Sequence, residues 1–106
     1  MKELIIVICN MGSADDVMNT AKEKGAGGGT IIHGRGSAKK DAEHFLGFTI
    51  RPEKELVLII TDDTIRNDIM REISKKHGVG TKAHAICFSV PVDATVGLPN
   101  RNKTDE

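Results

Sequence analysis

Leu4–Gly25, LIIVICNMGSADDVMNTAKEKG, and Leu56–Gly78, LVLIITDDTIRNDIMREISKKHG, are two renderings of one passage. Each opens on an unbroken apolar run of strand length, rich in Ile, Leu and Val, as a strand with a buried face requires. Each then passes paired aspartates, Asp15–Asp16 and Asp62–Asp63. Acids suit the positive end of a helix dipole, and Ser13 is a candidate N-cap with Asp16 three residues on. Ala14, Val17, Met18 and Ala21 recur at helical spacing in the first copy; Ile65, Ile69 and Ile73, with Met70, do so in the second. Lysines and a glycine close both, with Gly25 expected as a C-cap and His77 at the end of the second helix.

Two more strands complete the reading. TIIH, Thr30–His33, follows the first copy, and AHAICFSVPV, Ala83–Val92, follows the second, with Pro91 marking an edge or an end. Between the halves, Gly34 to Gly47 is polar and weakly periodic, a long loop with a brief helical turn expected at Asp41 to Phe45. Loops of this length inside a small domain are usually functional or disordered. The order strand, helix, strand, loop, strand, helix, strand predicts an α+β, ferredoxin-like βαββαβ sandwich: four antiparallel strands with both helices on one face. The domain is read as residues 1–98, followed by a polar tail, 99–106.

The central strands are apolar at successive positions, whereas a sheet with one wet face should alternate. Two helices cover one face only. The remaining apolar face predicts a homo-oligomer.

The totals narrow the function. The chain's 106 residues make one domain, and 15 basic residues balance 15 acidic ones, against the basic excess of a nucleic-acid binder. Three Phe, with no Trp or Tyr, leave little for stacking bases. No apolar run is long enough to span a bilayer and no secretory leader is evident, so a soluble, cytoplasmic protein without membrane insertion is expected. Cys9 and Cys87 lie in strand-like runs and read as buried, reduced thiols.

Candidate chemistry is sparse. His33, His44, His77 and His84 have no metal-ligand spacing, although His33 and His84 could approach one another on different strands. The aspartate pairs read as helix-start residues rather than an acid–base set, since neighbours on a helix do not face each other. No nucleophile stands beside a base, so no enzyme is predicted. The glycines of GAGGGTIIHGRG, Gly25–Gly36, remain: such a run is kept for positive φ or for close approach of a backbone or ligand, and bare N–H groups can cradle phosphate. It lacks the Lys-Ser/Thr ending of a Walker motif and the context of a dinucleotide fingerprint.

DDVMNTAKEKGAGGGTIIHGRG, the central LVLIITDD and the ending FSVPVDATVGL, in this order and spacing from about Leu4 to Leu98, resemble the PII-like signalling proteins, relatives of the nitrogen regulatory protein PII. The resemblance implies a ferredoxin-like homotrimer with adenine-nucleotide sites in the clefts between subunits. It also implies a loop after the second strand, the T-loop (about 34–50), that docks on a protein target, a transporter or an enzyme. Gly28, Gly29 and Thr30 resemble the segment that meets the adenine; Gly34, Arg35 and Gly36 the loop base along the phosphates; Ile60 and Thr61 the strand end beside the base. Lys39 falls near a family loop lysine and Lys82 near a late phosphate lysine. The chain departs from the pattern at TKAHA, where alanines replace glycines and His84 could donate instead; at Ala38, which stands for a glutamine that helps hold magnesium and 2-oxoglutarate; and in having no tyrosine to uridylylate. The implied ligand is an adenine nucleotide (ADP, AMP or ATP) or a similar small anionic ligand, and no obligatory cofactor is implied. The alternative is a metal-binding or structural trimer of copper-tolerance type, which shares the fold.

Overall fold

The computed structural model describes residues 1–37, 44–45, 48–49 and 52–99. Eight elements follow in order: β1 (Lys2–Asn10), α1 (Ala14–Glu23), β2 (Thr30–Arg35), β3 (His44–Phe45), β4 (Phe48–Thr49), β5 (Glu53–Asp62), α2 (Asp63–His77) and β6 (Ile86–Pro91). The main sheet runs β2-β5-β1-β6, every neighbour antiparallel, as the ferredoxin-like reading requires. The expected helical turn ending at Phe45 is not formed there: His44 and Phe45 pair as a strand with Thr49 and Phe48. The rest of that loop, and the tail from residue 100, lie outside the described residues.

The helix-side core joins Ile5, Val7 and Cys9 of β1 and Val57 and Ile59 of β5 to Val17 and Ala21 of α1 and Ile69 and Ile73 of α2. Each of the branched side chains among them contributes roughly 1.5–3 kcal/mol by leaving water. Between the helices, Thr20 Oγ1 and His77 Nε2 share a hydrogen bond at 2.8 Å, so His77 also ties the helices together.

The chain ends α1 as its glycine predicts, one residue later than a cap proper. The Gly25 N–H donates to Lys22 O and the Ala26 N–H to Ala21 O, with Gly25 at φ 107. This is the Schellman arrangement, which needs a left-handed residue just past the cap.

The start of α1 corrects the sequence reading. Ser13 makes no side-chain capping bond. Glu55, reaching over from β5, accepts from the Gly12 and Ala14 N–H groups at 2.8 and 2.9 Å instead. A full carboxylate answers the helix dipole better than a hydroxyl does. Asp62 likewise makes no cap bond; its Oδ1 accepts from Lys2 Nζ at 2.7 Å.

On the other side of the sheet the cross-strand rows read Val90–Leu4–Ile60, Phe88–Ile6–Leu58 and Ile86–Ile8–Leu56–Ile32. No helix among the described residues covers them, and Ile60, Phe88 and Val90 stay 38, 42 and 41 % exposed. The β1 burial pattern alternates strictly to Cys9 although its composition does not.

Candidate ligand-binding site

The candidate residues fall at two ends of the β2–β5 ladder. At the first, Gly28, Gly29, Thr30, Ile60 and Thr61 share an open cleft of about 1030 Å³, walled also by Leu4, Leu58, Thr64, Ile65, Leu98 and Pro99. Lys2 and Asp62 enter it as an ion pair and cancel in charge. The cleft therefore offers apolar walls, hydroxyls and glycine backbone, with no net positive charge from its described side chains: a surface for a flat, neutral group.

Its glycines divide by purpose. A Cβ on Gly29 would stand 2.6 Å from the Leu58 carbonyl oxygen and 3.0 Å from Met18 Sδ, so Gly29 is required by packing. Gly28, at φ 153, lines the cleft and has nothing within 4 Å of where its Cβ would be.

At the second end lie Gly34, Arg35 and Gly36, none of which lines the cleft. Thr30 and Gly36 are six residues apart on an extended chain, roughly 20 Å. Gly34 is four residues from Thr30, roughly 13 Å. Gly36 packs on Lys54, whose Cε and Cγ would be 3.2 and 3.3 Å from its Cβ, and its N–H donates to Pro52 O at 2.6 Å. Lys54 Nζ donates to Asn10 Oδ1 at 2.8 Å, and Asn10 Nδ2 donates to Lys82 O at 3.1 Å. Lys54 and Asn10 thus join the loop base to the segment before β6, and the sequence reading named neither. Their signal was the strand register: once Ile6 opposes Leu58, Asn10 opposes Lys54.

In the 82–85 segment two backbone N–H groups are engaged within the chain. The His84 N–H donates to Thr81 O and the Ala85 N–H to His77 O, at 3.1 and 2.8 Å. His84 takes a left-handed φ of 46. It precedes β6, at the opposite sheet edge from His33 on β2, so the two histidines do not meet across adjacent strands. His33 Nε2 instead lies 3.2 Å from Glu55 Oε2. Lys39 lies outside the described residues.

Electrostatics separate the groups here. Burial alone would raise the Glu55 pKa, but the Ala14 and Gly12 N–H groups and His33 outweigh it and hold the carboxyl below its ordinary 4.5. Burial lowers the Lys54 pKa. Burial pushes the Cys9 and Cys87 thiols up to about 11, so both are protonated and poorly nucleophilic near neutral pH. Among the described residues, no group of three His, Cys, Asp or Glu could hold a metal ion, and no helix is long and apolar enough to cross a membrane.

No family model and no curated protein matches this chain. A solved structure does: a crystal structure from Thermus thermophilus, provisionally described as a PII-like signaling protein, with 13% sequence identity and a TM-score of 0.64. The match covers 84% of this chain and 83% of that one. The fold of this chain is therefore that of a PII-like neighbour over most of both lengths.

Proposed function

We propose that this chain is a PII-like signalling protein, a homotrimer that holds an adenine nucleotide (ADP, AMP or ATP) in clefts between subunits. It acts on a protein target, a transporter or an enzyme, through the segment at about 34–50, and it makes and breaks no covalent bond. The signal is a difference in binding between loop states.

The observation that carries this reading is the apolar face of the sheet that bears the divided candidate residues. The cleft at Gly28–Thr30 and the basic end at Gly34–Lys54 lie along one ladder, four residues or roughly 13 Å apart. The bare apolar rows Val90–Leu4–Ile60 and Phe88–Ile6–Leu58 supply the reason for copies to meet.

Native mass spectrometry of freshly purified protein, followed by calorimetry with ADP, AMP, ATP and adenosine, tests it. Three subunits and saturable binding of at least one nucleotide are expected. A monomer, or silence from all four compounds, would refute the reading.

A further inference from the structure

Lys54 differs from the other half-buried cations described here. Lys2 is paired with Asp62 and Arg66 with Glu3. Lys54 has no carboxylate within ion-pair distance among the described residues; its hydrogen bond goes to the neutral amide of Asn10. A partly desolvated ammonium without a counter-ion is costly, and an anion relieves that cost.

The lysine is also held in place. Gly36 lies against its methylene stem, where any Cβ would crowd it at 3.2–3.3 Å. Asn10 is itself buried, and both ends of its amide are engaged: Oδ1 accepts from Lys54 and Nδ2 donates to Lys82 O. The amide cannot turn over without losing both bonds, so the ammonium is fixed with two of its three hydrogens free of the bond to Asn10. The backbone donors at His84 and Ala85 are already used.

We propose that Lys54, positioned by Asn10, is the anion-binding residue of this sheet end and donates to a phosphate oxygen. This rests on the reading that the loop-base end meets the phosphates of the nucleotide proposed above, and the test separates the two.

The probe is inorganic pyrophosphate, measured by calorimetry beside ADP and adenosine, on the intact chain and on Lys54→Met, with Lys22→Met as a remote control. Loss of one charge-assisted bond should weaken pyrophosphate and ADP about tenfold or more in Lys54→Met. Adenosine binding and the Lys22→Met protein should be unchanged. Asn10→Asp, which would give Lys54 a resident counter-ion, should weaken pyrophosphate by a similar factor. Pyrophosphate that binds Lys54→Met as well as the parent, or does not bind the parent at all, overturns the proposal. Lys54-dependent pyrophosphate binding without any nucleotide binding would uphold it while removing the nucleotide reading.

Discussion

Ile59 and Ile60 are adjacent on β5 and of one residue type, yet the first is 0 % and the second 38 % exposed. Val57 and Leu58 repeat the contrast one step earlier, buried against half-buried. The inward pair meets the helices; the outward pair faces the side that no helix reaches. Hydrophobicity therefore does not say which residues hold this chain together and which would hold copies together. The strand's period of two, set against where the helices lie, does.

That contrast can be broken by mutation. The largest effect is expected from Leu58→Asp, which places a charge in the outward rows. The variant should sediment as a folded monomer where the parent sediments as a trimer, and an intact L58D trimer would end the case for the outward face. Ile59→Ala removes inward packing and should lower stability by about 3 kcal/mol in urea unfolding. A loss well under ~1 kcal/mol would mean the two faces are not so distinct.

Gly29→Ala tests the seam between β2 and β5, where the new methyl would press on the Leu58 carbonyl oxygen at 2.6 Å. A loss of about 2 kcal/mol is expected from that overpacking, read in the same unfolding experiment. Gly28→Ala should avoid this clash, since nothing lies within 4 Å of its Cβ position, and should show only the strain of an alanine at φ 153.

The smallest effect concerns Glu55, whose side chain is 12 % exposed. Glu55→Gln should lower stability by about 1.5 kcal/mol at neutral pH, through weaker bonds to the start of α1. Because the folded carboxyl titrates below its ordinary 4.5, its contribution is complete above that value and fades as pH falls through the lowered folded pKa. Parent and variant should therefore converge in acid; a gap that persists there would point to packing instead of charge.

Much of the fold was legible because the two halves repeat. Leu4–Gly25 and Leu56–Gly78 each declare a strand and a helix through local pattern, and the second and fourth strands fit only where a ferredoxin-like sheet leaves room. What local pattern could not give was the partner of each polar group. Ser13 looks like the cap of α1, but Glu55 lies 41 residues from Ala14 in sequence and takes the role. Asp62 looks like the cap of α2, but Lys2 holds it. His44 and Phe45 are too short a strand to show a period, so neighbouring polar residues suggested a turn of helix.

The candidate site was legible in outline and not in assembly. The sequence places Gly28 to Gly36 together, and strand extension then draws the two ends apart. Lys54 and Asn10 carry no motif; they matter through a register that brings position 10 opposite position 54.

One short bond has a longer reach. The Gly36 N–H donates to Pro52 O, so the segment between them begins and ends at one place. Doubling the length of a flexible loop closed in this way costs only about 0.6 kcal/mol of closure entropy. Descendants of this gene could lengthen, shorten or rewrite the sequence between Gly36 and Pro52 while the four-stranded sheet folds as before.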